Sequence, residues 1–276
     1  MGDTAFERWG NKLPLGFYIK EYHVNDFELG PVRGSLRREL TNLLGRSLPR
    51  SQLAVLKHCV TILGNKLGPP TEDTLRLLPM PDVEYLLYVL QLRELPEFVI
   101  DDIECQNVVG NRVCGAKTSV RVPMRNVGTV DATTEIEYVG GAPTVLRSFF
   151  DPVEQREIAV RYRIPNLGDH IGIVDQIFDD ETGERTGDTM FDQHAATMVD
   201  YDGRGRGLTK REFEDMNFHT INALINNLSD VHPASVDTDL EVTCPSCRQA
   251  IALDLPLMRW TRPLGPAKTE VASGSS

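Results

Sequence analysis

TDLEVTCPSCRQAIALDL (residues 238–255) sets two runs of alternating apolar and polar residues on either side of Cys-Pro-Ser-Cys. Alternation of this kind predicts two half-buried strands, so the segment reads as a β-hairpin tipped by Cys244 and Cys247. Two thiolates separated by two residues can both turn inward from a tight turn and take two corners of a tetrahedron. Pro245 pre-shapes that turn. Such a knuckle supplies half of a zinc site, and the other two ligands must come from elsewhere in the chain.

Cys105 and Cys114 offer them. Cys105 ends a similar alternating run, FVIDDIEC (98–105), and another, TSVRV (118–122), follows Cys114. The eight residues between the two cysteines, QNVVGNRV, are long for a knuckle. They contain Gly110-Asn111, a turn signal, and fit a looped-out insertion. Gly115 after Cys114 permits the unusual backbone angle that closes a knuckle. The expectation is one structural zinc per chain, held by Cys105, Cys114, Cys244 and Cys247. Two unrelated free-thiol pairs are one alternative. Redox chemistry is another, although a thioredoxin-type C-x-x-C opens a helix, whereas an alternating strand follows this one. Cys59 lies on an apolar stretch with Leu53, Val55, Leu56 and Ile62 and reads as a core thiol.

The two cysteine pairs sit in a weak internal repeat. A shift of 136 positions sets Thr61 on Thr197, Ile62 on Met198, Met80 on Met216, Tyr85 on Ile221, Tyr88 on Leu224 and Val89 on Ile225. Three further residues of slippage set Cys105 on Cys244. Each copy runs from a strand-like piece through a Gly-containing turn into an amphipathic helix, near Thr71 or Pro81 and near Thr209. Earlier, YIKEYHVNDF (18–27) loosely matches VRYRIPNLGD (160–169). The fold expected is α+β, with two related units, each bearing amphipathic helices and a β-hairpin that ends in a zinc-knuckle-like turn. The boundaries expected are 1–125, a linker at 126–149, 150–257, and a flexible tail at 258–276.

Composition narrows the function. The chain has 276 residues, 41% hydrophobic and 25% charged, which is a globular balance with enough length for a large core. A net charge of −11 opposes phosphate backbones. The densest basic stretch, Arg33, Arg37, Arg38, Arg46 and Arg50, alternates with Leu36, Leu40, Leu43 and Leu44 at helical spacing and reads as a solvated helix face. Nucleic acid is therefore a disfavoured partner. No apolar run is long enough to span a membrane, and the first residues lack a signal peptide's apolar stretch. A reducing cytoplasm follows, where close cysteine pairs bind metal more often than they form disulfides.

Catalytic patterns are absent. VDYDGRGRGLTKREF (199–213) resembles a calcium loop, but Arg204 and Arg211 fall where oxygen donors are required. The histidines are dispersed, with His219 on a helix and His232 before a proline. No phosphate-binding loop, nucleophile elbow or H-E-x-x-H is present. Four thiolates would leave zinc no open position for water, so the chain is not expected to be an enzyme.

The series TMVDYDG, LTKREFEDMNFHTINALINNL and DTDLEVTCPSCRQAIALDL resembles the T4-type baseplate hub and tail assembly proteins of contractile-tailed phages and phage-like injection systems. LPLGFYIKEYHVNDF through IECQNVVGNRVCG resembles the same pattern more loosely. Cys244 and Cys247 match the family's C-P-x-C directly, and Cys105 and Cys114 match through the internal repeat. The family usually carries Gly after the second cysteine, where this chain has Arg248. The resemblance implies a non-catalytic component that helps to build the baseplate hub or tail, with other baseplate, hub or tail proteins as partners. It places the protein in the host cytoplasm during assembly, or in the virion. The alternative function is a zinc-ribbon accessory factor acting on nucleic acid or a polymerase.

Overall fold

The computed structural model describes residues 4–43, 47–65, 68–177, 197–229, 231–255 and 257. The architecture is α+β. A short helix α1 (Ala5–Trp9), closed by a capping box between Thr4 and Glu7, leads into a hairpin of β1 (Lys12–Ile19) and β2 (Tyr22–Leu29). Helices α2 (Gly34–Leu43) and α3 (Leu48–Cys59) follow, then β3 (Val60–Leu63), which completes an antiparallel sheet of order β1-β2-β3. The short α4 (Glu72–Arg76) and the long α5 (Met80–Glu94) come next. Strands β4 (Glu97–Glu104) and β7 (Lys117–Pro123) pair as a ribbon that carries a small hairpin, β5 (Val108–Val109) with β6 (Arg112–Val113), at its tip.

A second hairpin, helix, third strand, short helix, long helix and ribbon then follow. After β8 (Thr129–Val130) and β9 (Glu137–Val139) comes a hairpin of β10 (Ala142–Asp151) and β11 (Arg156–Arg163), and then helix α6 (Leu167–Ile177). Strand β12 (Met198–Tyr201) completes a sheet of order β12-β11-β10-β9. A short helix α7 (Lys210–Glu214), a long helix α8 (Phe218–Ser229), β13 (Ser235–Val236) and the ribbon of β14 (Asp239–Thr243) with β15 (Ala250–Asp254) end the described chain.

Several local features stand 138 residues apart, where the sequence was read with a shift of 136. Thr71 and Thr209 each cap a five-residue helix through their hydroxyls. Met80 and Phe218 each open the long helix that follows. Val60 and Met198 each pair across a bulge, with Leu29 and Tyr162 respectively. By the same pairing Phe27, rather than Tyr18, stands where Val160 stands. α5 is apolar on every side and so gives little positional signal against another helix, whereas a bulge and a cap fix position.

Residues 126–149, expected as a linker, instead contribute β8, β9 and most of β10 to paired strands. The expected tail, 258–276, lies outside the described residues. Nor do the cores divide at 126–149. One core surrounds α5, which is buried on every side because Val83, Tyr85, Leu86, Leu87, Tyr88 and Leu90 leave it no polar face. Leu167, Ile171, Val236, Leu255 and Leu257 from the second half join that core. The other core lies between β10–β12 and the helices α7 and α8, and holds Phe149, Ile158, Tyr162, Phe213 and Leu224.

Candidate metal centre

Cys105 follows the end of β4, and Cys114 precedes β7 by two residues. Cys244 follows β14, and Cys247 precedes β15 by two residues. The two ribbons thus meet tip to tip. All four Sγ atoms lie within 4.8 Å of one another, the distances across the join being 3.7 Å for Cys105–Cys247 and 3.8 Å for Cys114–Cys244. A tetrahedron with Zn–S bonds of about 2.3 Å has edges of about 3.8 Å, so the donor set and its spacing fit zinc. All four are free thiols, with Cys105 and Cys244 fully buried and Cys114 and Cys247 half-buried.

Backbone geometry explains how two loops of different length present the same pair of ligands. Cys244 donates its N–H to Gln249 O at 2.9 Å, and Arg248 donates back to Cys244 O at 3.0 Å. In the other loop Cys105 donates to Ala116 O at 2.9 Å, and Gly115 donates back to Cys105 O at 3.0 Å. Gly115 and Arg248 both take the left-handed conformation, with φ of 63° and 65°. The first loop has six residues more than the second, and residues 108–113 fold out as the β5–β6 hairpin. Gly110 (φ 65°) opens its two-residue turn, and Cys114 N–H to Asn107 O at 2.9 Å closes its base.

Two of the four thiols shift, in opposite directions. The Cys244 thiol is pulled down to about 6, chiefly because the backbone N–H of Cys247 donates to it, against a desolvation cost. Cys247 moves the other way, to about 11: the N–H of Gln249 favours its thiolate, but desolvation and the neighbouring sulfurs hold the proton. Backbone donors at one sulfur and crowding at the next are the conditions under which a cation displaces the remaining protons.

Two features of the site had no clear mark in the sequence. Asn107 donates its side-chain amide to Ala250 O at 2.9 Å and so ties one ribbon tip to the other. Arg248 fills a position that its residue type does not announce. Outside the site, Cys59 is fully buried in the first core, and burial pushes its thiol up to about 11. The calcium-like loop spends its oxygens on protein groups: Asp200 accepts from Gly205 N–H, Asp202 pairs with Arg156, and Glu212 caps α7 and pairs with Arg206. His58 pairs with Glu39 at the surface, and His194 lies outside the described residues. No protein-family model, curated protein or solved structure matches this chain.

Proposed function

We propose that Cys105, Cys114, Cys244 and Cys247 bind one structural zinc per chain, that this metal joins two related units, and that the protein is a non-catalytic assembly component of a contractile-tail baseplate hub. The observation that carries the metal reading is the convergence of four sulfurs at tetrahedral spacing. Shared hydrogen bonding in the two knuckles, and the recurrence of caps and bulges at 138 residues, support a duplicated unit. A shell of four thiolates leaves the metal no place for substrate or water, which suits a structural role. The baseplate reading rests on the resemblance of the segments around residues 196–255, and places the protein among tail or hub proteins in the host cytoplasm or the particle.

Zinc in this position would staple one ribbon tip to the other. Structural zinc contributes on the order of 10 kcal/mol in small zinc peptides. Each core here has apolar mass of its own, so losing the metal should loosen the joint before it unfolds the helices. Cys247→Ser is expected to abolish zinc uptake and lower the melting temperature while keeping most of the helical signal. Assembly of tails in the producing cell, measured where the variant is still folded, should fall sharply. Normal tails built from zinc-free protein would remove the stapling role.

A further inference from the structure

The four sulfurs at the ribbon joint differ in access. Cys114 and Cys247 are half-buried, and Cys105 and Cys244 are fully buried. Each short distance across the join matches one of either kind: Cys247 with Cys105 at 3.7 Å, and Cys114 with Cys244 at 3.8 Å. A thiolate that solvent can reach, with a second sulfur close behind it, is the arrangement in which a hydroperoxide makes a disulfide. The reachable sulfur takes the oxygen, and its neighbour displaces it before oxidation goes further.

Four cysteines allow three pairings. Cys105–Cys244 with Cys114–Cys247 would join the two buried sulfurs, neither of which meets the oxidant first. Pairing within the knuckles works against the backbone. The N–H groups of Cys247 and Gln249 donate to the sulfurs of Cys244 and Cys247, and a Cys244–Cys247 disulfide would pull both sulfurs off those donors. Cys105–Cys247 with Cys114–Cys244 leaves both knuckles as they are. A bond of about 2.05 Å requires each of these pairs to draw in by about 1.7 Å, and one approach of tip to tip shortens both.

We infer that the ribbon joint is an oxidation site for hydroperoxides, at which Cys114 and Cys247 react first and two crossing disulfides, Cys105–Cys247 and Cys114–Cys244, replace the metal as the staple. The thiolate of Cys247 attacks one peroxide oxygen, the O–O bond breaks, hydroxide leaves, and a sulfenic acid forms. The thiolate of Cys105 then attacks that sulfur and expels a second hydroxide as the S–S bond forms. Cys114 and Cys244 react in the same way. Two peroxides are reduced and four thiolates oxidised, which leaves no ligand for the zinc and releases it. The metal release rests on the zinc reading, and the pairing rests on the sulfur geometry.

The test is a titration of the full-length, zinc-loaded chain with hydrogen peroxide. Released zinc is read with a chromogenic chelator, and disulfides are mapped by digestion without reduction and mass spectrometry. One zinc should be lost for every two peroxides consumed. Free thiols should fall from five to one, the survivor being Cys59 in the first core. Linked peptides should join Cys105 to Cys247 and Cys114 to Cys244. Cys105→Ser should form Cys114–Cys244 alone and leave a Cys247 sulfenic acid that dimedone traps. If that variant fails to fold, the wild-type map alone decides. Either of the other pairings, sulfinic acid in place of disulfides, or ligand thiols that survive a large excess of peroxide overturns the inference. The two claims fail separately: protein purified without metal that still forms the crossing disulfides sinks the zinc alone, and zinc-loaded protein that pairs within its knuckles sinks the oxidation site alone.

Discussion

Arg248 holds a backbone conformation that costs an ordinary L-residue roughly 1–2 kcal/mol. It does so because the knuckle requires it: the residue after the second cysteine must turn left-handed to return its N–H to the first cysteine's carbonyl. Gly115 meets the same requirement in the other knuckle without strain. Arg248→Gly is therefore expected to stabilise the zinc-loaded protein. Glycine's extra freedom in the unfolded chain takes back part of the gain, which leaves about 0.5–1 kcal/mol and a melting-temperature rise of roughly 1–2 °C. A fall in melting temperature would mean that the arginine side chain makes contacts worth more than the strain it carries.

At the scale of elements, Asp82 joins a strand to a helix. It sits in the first turn of α5, fully buried, and its two oxygens accept the N–H groups of Leu15 and Gly16 at 2.8 Å each, where β1 bulges. Burial pushes the carboxyl up to about 7, and the two backbone donors only partly oppose that. The folded pKa thus lies above the unfolded value of about 3.9. The native state binds the extra proton between those values, so this contribution is complete below about pH 4 and is lost as pH rises through 7. Asp82→Asn keeps the shape and cannot titrate. Its melting temperature should fall less than that of the wild type between pH 5 and 8, and parallel pH profiles would show that Asp82 does not titrate in this range.

The same scale explains what could be read from the sequence. The convergence of the four cysteines was legible because cysteine spacing and flanking alternation are local properties. The Gly110-Asn111 turn was legible for the same reason. The 138-residue spacing of the matching caps and bulges was not, since α5, apolar on every side, gives no position against α8. Strands β8 and β9 escaped because two- and three-residue strands carry no period, and β8 pairs with β13 more than 100 residues away. Asp82 escaped because nothing local shows that a helix N-terminus will meet a bulged strand 66 residues earlier.

Across the whole molecule, the two halves meet in the first core, which draws Leu167, Ile171, Val236, Leu255 and Leu257 from the second half, and at the joined ribbon tips, and also where Leu15 packs with Val145 and Ile164. The first contact is apolar and distributed, so it survives the loss of any one residue. The ribbon-tip contact depends on four sulfur atoms and, in the zinc reading, on the ion that they would hold. X-ray absorption at the zinc edge, on protein purified under reducing conditions with its metal content measured, tests this account most directly. It should show one zinc per chain with four sulfur neighbours at about 2.3 Å. A shell containing nitrogen or oxygen, two zincs per chain, or no zinc at all would contradict it.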